Sequence, residues 1–183
     1  MPRFTELAPE QMSEAQREVC AQLVAGKRGR VPPPFQALLP SPTLCGRAQS
    51  LGEFLRYDTS LPPRLSELAI LVTARFWTAQ YEWHVHAMMA EKGGLDPKII
   101  AAIAERRDPA PLMKDDERAV YAFARILHQN HKVDDATYGE AVKQLGERGA
   151  VELVGLLGYY TLISMILNVF EVPVPGGGKP LAE

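Results

Sequence analysis

Apolar side chains recur along most of this chain at spacings of three and four, the period of a helix with one buried face. Leu44, Ala48, Leu51 and Leu55 make one such stripe, and Leu65, Leu68, Ala69, Leu71, Val72 and Phe76 make a denser one. Ile99, Ile100 and Ile103 follow, then Val120, Phe123, Ala124 and Leu127, then Tyr138, Val142 and Leu145. No long alternating run and no Asn-Gly or Asp-Gly turn is present, so strand signals are nearly absent. The pattern predicts an all-α, single-domain bundle of about seven helices over residues 1–183.

Local punctuation places the helix ends. Ser13 with Gln16 fits a capping box, and Gly26 suits the end of the helix it opens. The basic, proline-rich residues 27–34 read as an extended connector, because successive prolines remove backbone donors. Ser41-Pro42, Pro62-Pro63 and Asp96-Pro97 mark three further helix starts, and Gly93-Gly94 marks a stop. Acidic Asp115, Asp116 and Glu117 suit a helix N-terminus, and Asp134 suits a cap. A last helix runs from about Gly149 to Phe170, followed by a proline- and glycine-rich tail over residues 172–183.

Residues 153–170 carry no charged side chain, which is the lower limit for a membrane span. The stretch contains Gly155, Gly158, Thr161, Ser164 and Asn168, is flanked by Glu152 and Glu171, and lacks a positive-inside pattern. A buried core or subunit-interface helix is the expectation, with no membrane partner. The net charge of −2 gives no basic excess for nucleic acid. No secretory signal opens the chain, and Cys20 and Cys45 form neither a CxxC nor a metal pattern, so a cytoplasmic protein with free thiols is expected.

Candidate chemistry concentrates in residues 80–86. Glu82 and His86 are four apart and share a helix face, where a carboxylate raises the imidazole pKa and poises a proton near neutral pH. His84 falls about 200° from His86 and faces elsewhere. Glu67 is a third candidate. On one straight helix it would lie about 28 Å from His86, so the two meet only if the segment folds back. Thr78 is a possible cap for a second helix, with Phe76 and Trp77 packing the corner. A divalent-metal reading of Glu67, Glu82 and His86 lacks an HExxH-like context. His128 and His131 lie near a helix end, where the dipole accounts for them, and Tyr159, Tyr160 and Met165 read as core or interface.

Residues 67–72 and 81–86, followed by 87–95, resemble the core motif of the carboxymuconolactone decarboxylase and alkyl hydroperoxidase D-like family. The resemblance covers roughly residues 44–103, with helices over about 114–171 resembling those of longer members. It implies a helical, oligomeric protein. In the hydroperoxidase branch a Glu, a CxxC pair and a His form a thiol relay, and on that spacing the thiol positions fall on Ala79 and Glu82. A dithiol peroxidase is therefore excluded, because neither residue forms a sulfenate or a resolving disulfide. In the decarboxylase branch a Glu-x-x-x-His element, matched by Glu82 and His86, protonates the dienolate left when a lactone acid loses carbon dioxide. The resemblance thus implies a cofactor-free lyase with His86 as proton donor, Glu82 orienting it or exchanging protons, and Glu67 in support. Its partner would be a small-molecule carboxylate, held by an arginine for which Arg64 and Arg75 are the nearby candidates. Self-association through the C-terminal helices is the accompanying expectation. An oxidoreductase using another route and a non-catalytic helical oligomer are the alternatives.

Overall fold

The computed structural model describes residues 2–182. Among the described residues eight α-helices account for the architecture: α1 (Glu14–Ala25), α2 (Pro33–Leu38), α3 (Pro42–Tyr57), α4 (Pro63–Phe76), α5 (Gln80–Lys92), α6 (Pro97–Ala104), α7 (Asp115–Asn130) and α8 (Asp135–Val169). No strand occurs among the described residues. The count exceeds seven because the central segment divides into α4 and α5 and because α2 forms, while the two C-terminal helices expected join as α8.

Helix α2 corrects the reading of residues 27–34 as wholly extended. Pro32 is the N-cap and Pro33 the first helical residue. A first turn has no intrahelical use for its N–H groups, so proline is tolerated there and its fixed φ favours the helix. In α8, Gly146 interrupts the helical path at φ 72°, a left-handed value that suits glycine. The parts on either side of the break, residues 135–145 and 147–169, correspond to the two helices expected.

Other termini follow their caps. The Ser13 hydroxyl accepts from the Gln16 amide at 3.3 Å, and the Gln16 side chain accepts from the Ser13 amide at 2.9 Å. Asp96 and Asp134 cap α6 and α8. Ser41 precedes α3 as expected, but its side chain makes no capping bond; Pro42 alone sets that start.

Helix α4 is the centre of the molecule. Every residue from Leu65 to Arg75 is buried, and the helix packs against α5, α7 and α8. One apolar cluster joins Leu23, Phe35, Cys45, Leu68, Ile99, Val120 and Leu156, drawing on every layer of the bundle. Helix α8 is long and apolar enough to cross a membrane by length and composition, yet most of its apolar stretch is buried in the bundle. Val151, Val154, Met165 and Val169 remain exposed on its outer face.

Candidate functional site

The chain turns between α4 and α5 within three residues, Trp77 to Ala79, and this corner assembles the site. The Ala79 amide donates to the Ala74 carbonyl at 2.8 Å, closing the bend. Thr78 is not the N-cap expected. Ala79 holds that position, and Thr78 takes the left-handed conformation at φ 48° while its hydroxyl accepts from Arg75. The fold-back that Glu67 and His86 require is therefore present.

His86 lies between two carboxylates. Its Nδ1 is 2.6 Å from Glu67 Oε2 on α4, and its Nε2 is 2.9 Å from Glu82 Oε1 one turn earlier on α5. All three side chains are buried. Burial alone would lower the imidazole pKa, but the two negative charges, Glu67 first, outweigh it and raise it to about 9. The histidine is thus an imidazolium at neutral pH, with each N–H directed at a carboxylate. The Tyr160 ring meets it edge-on at 5.0 Å. Both ring nitrogens are thus engaged by carboxylates. No group of three or more His, Cys, Asp or Glu side chains among the described residues is arranged to hold a metal ion.

Glu82 and His86 open on a cavity of about 190 Å³. Cationic residues supply much of its wall: Arg28 and Arg30 from the connector before α2, and Arg56 from α3. Arg28 is the most telling. Its guanidinium lies over the Phe35 ring at 4.9 Å, and its Nε and Nη1 are buried without a hydrogen-bond partner among the described residues. Arg56 donates to the Met89 sulfur and stands over the Tyr57 ring. Burial opposes the charge on Arg56, while the Glu67 and Glu82 carboxylates favour it. Tyr81, Tyr159 and Tyr160 also line the space. Burial pushes the Tyr159 phenol up to about 12 and Tyr160 well above its ordinary value, so both are neutral hydroxyl groups at physiological pH.

Gly52 makes this arrangement possible. A Cβ there would fall 2.0 Å from the Tyr159 hydroxyl oxygen and 2.8 Å from Arg28 Nη2. Only a residue without a side chain lets α3 approach so closely.

The remaining candidates fall elsewhere or gain further contacts. Arg64 does not face the site: it pairs with Asp116 at 2.6 Å and Glu117 at 2.5 Å, where α4 meets α7. Arg75 lines a different cleft. Tyr159 and Tyr160 are buried, as core residues would be, but they also wall the cavity. His84 lines neither this cavity nor that cleft. His128 stands in the last turn of α7 as expected, but it has further contacts: its Nε2 is 2.9 Å from Thr73 Oγ1, its ring stacks on Phe76, and burial lowers its pKa. His131 instead ends α7 in the left-handed conformation. The arginines that do reach the cavity were visible only as a basic, proline-rich run whose packing the local pattern leaves open.

Comparison with known proteins places this geometry. Residues 46–125 match the carboxymuconolactone decarboxylase family model. No curated protein sequence gives a significant match. Among solved structures, the chain is similar to the alkylhydroperoxidase AhpD core of an uncharacterized peroxidase-related protein from Ralstonia eutropha JMP134. That likeness has a TM-score of 0.76 at 16% identity, over 94% of this chain and 92% of that one. It is also similar to the apo debrominase Bmp8, with a TM-score of 0.72 at 14% identity over 97% and 93% of the two chains. The same debrominase in complex with 2,3,4-tribromopyrrole gives a TM-score of 0.72 at 15% identity, over 97% and 92%. At these identities the structural likenesses establish the fold, and the sequence match covers the segment that carries Glu67, Glu82 and His86. Over residues 46–125 the chain is thus similar to the carboxymuconolactone decarboxylase family, and its fold is that of the alkylhydroperoxidase AhpD core.

Proposed function

We propose that this chain is a cofactor-free carboxy-lyase acting on a small carboxylated lactone or a related acid from aromatic-ring degradation. The observation that carries the reading is His86 held as an imidazolium between Glu67 and Glu82, at a cavity walled by Arg28, Arg30 and Arg56. The cavity is smaller than the roughly 300–1,000 Å³ of drug-sized sites, which suits a compact acid. Its guanidinium groups suit a substrate anion and the charge that develops on its oxygen atoms.

The reaction is redox-neutral. The bond between the lactone carbon and its carboxylate breaks, carbon dioxide leaves, and the electron pair remains on the ring as a dienolate. A proton then bonds to carbon. Because both His86 N–H groups face carboxylates, the proton passes from Nε2 through Glu82, whose carboxyl group lines the cavity. Glu67 stabilises the imidazolium before transfer and fixes the ring orientation. This modifies the simpler assignment of His86 as direct donor.

Thiol chemistry has less support. Neither Cys20 nor Cys45 lines the cavity. Cys45 is buried, with its thiol directed at the Phe35 carbonyl, and burial pushes its pKa up to about 12. A thiolate is the nucleophile such chemistry needs.

The test is carbon dioxide release by the purified protein across a panel of small carboxylated lactones. Turnover of at least one is expected, reduced about 10²–10⁴-fold in Glu82→Gln and in His86→Ala, the range of general acid–base catalysis. No turnover on the panel, or full activity in both variants, overturns the reading.

A further inference from the structure

A concave surface larger than the site just described lies elsewhere on the molecule. A cleft of about 720 Å³ opens where the end of α4, the loop after α6 and one face of α7 meet. Its wall holds five arginines, Arg75, Arg106, Arg107, Arg118 and Arg125, against one carboxylate, that of Asp108. Arg118 and Arg125 stand seven residues apart on α7 and so share a face. The mean composition of the chain, at net charge −2, gives no reason for such a concentration.

Most of this charge lacks a counter-ion. Arg107 pairs with Glu105 and Arg118 with Asp115. Arg125 bonds only the neutral Gln129 side chain, at 3.0 Å. No carboxylate among the described residues pairs with Arg75 or Arg106. The Asp108 carboxylate is already an acceptor for the Ala110 amide. Arg75 is 7% exposed; it donates to the Thr78 hydroxyl and the Ala182 carbonyl, and its Nε is buried without a partner among the described residues. Its own burial and the nearby Arg106 both lower its pKa, as expected of a cation with a like charge beside it and no anion. Holding that cation buried carries a free-energy cost that a bound anion would offset.

Apart from Gln129, the rest of the wall is apolar and aromatic. Val72 and Ile103 lie beside Phe76, a ring 48% exposed and stacked on His128 at 4.9 Å and 14°. His128, its pKa lowered, adds a neutral plane rather than charge. Aromatic faces of this kind accept a planar ligand ring.

We infer that this cleft binds a small organic phosphate, its phosphate groups on Arg75, Arg106 and Arg125 and its ring or apolar part over Phe76. Guanidinium groups match phosphate oxygens in pairs, and the volume lies within the range of small-molecule sites. The basic groups converge on one concave cleft rather than forming an extended track, which favours a small ligand over a nucleic acid strand. The cleft is separate from the Glu67–His86–Glu82 site and its inference does not depend on the reaction proposed there.

Calorimetry and thermal-shift measurements on the full chain test this, with ADP, pyrophosphate and inorganic phosphate as probes at low and high salt. Arg125→Glu and Arg106→Asn are suitable variants: both side chains are exposed, and asparagine tolerates the left-handed φ of 57° at position 106. ADP is expected to bind and to raise the thermal midpoint, to lose about tenfold or more in affinity in each variant, and to bind tighter than pyrophosphate. Pyrophosphate is expected to exceed phosphate, and salt to weaken all three. Absence of binding by every probe at millimolar concentration overturns the inference. Equal binding by wild type and both folded variants, or loss of ADP binding in Arg28→Ala instead, overturns it as well.

Discussion

His86 Nδ1 lies 2.6 Å from Glu67 Oε2, although the two residues are separated by nineteen positions and belong to different helices. The three-residue corner between α4 and α5 creates this contact, and Glu82 completes it on the other side of the ring. The arrangement makes the histidine a stored proton rather than a free base.

A consequence for stability follows from the raised pKa of His86. A protonated group favoured by the fold contributes fully below its unfolded value, about 6.5, and the contribution is lost as pH rises through about 9. Denaturant titrations of wild type should therefore show stability falling across pH 6.5 to 9. His86→Gln, which keeps hydrogen bonding but cannot be protonated there, should lack that component. Identical pH profiles for the two proteins would show that the imidazole is not held charged.

Gly52→Ala should be costly for a residue on a helix. The added methyl would overlap Tyr159 and crowd Arg28, so one or both must move. Overpacking of this kind costs about 1–3 kcal/mol, readable by urea denaturation. Because the displaced groups wall the cavity, substrate affinity should fall with stability. A neutral effect on both would mean that α3 and α8 approach less closely than described.

Arg28 and Arg64 should separate binding from stability. Arg64→Ala removes the ion pairs to Asp116 and Glu117 and leaves the Glu117 carboxylate buried, a loss of about 1–3 kcal/mol with KM little changed. Arg28→Ala should raise KM for an anionic substrate, because no carboxylate among the described residues competes for its guanidinium. The reverse pattern in steady-state kinetics and denaturation would transfer the anion-binding role to Arg64.

The contrast between those two arginines shows what the sequence makes legible. Helical periodicity, prolines at helix starts and the Ser13 and Asp134 caps are local signals, and they locate most elements to within a few residues. The Glu82/His86 pair is local too. Glu67 is not: the apolar run after it and the aromatic corner at Phe76 and Trp77 permit the fold-back without forcing it. Arg64 looked suitable because it is near in sequence, yet the acids at the start of α7 claim it through a tertiary contact. Arg28 and Arg30 reach the site because α2 folds the connector against α3 and α8, a placement fixed by packing alone. Proline signals also cut two ways: Pro32 to Pro34 would break a helix interior but suit a first turn, so the local pattern alone does not distinguish α2 from an extended segment.

The central claim is that Glu67 and Glu82 keep His86 charged at the cavity, and nitrogen NMR of histidine-labelled protein tests it most directly. The account predicts that both His86 ring nitrogens carry protons at neutral pH and titrate near pH 9. A neutral imidazole with one unprotonated nitrogen at pH 7 would contradict it.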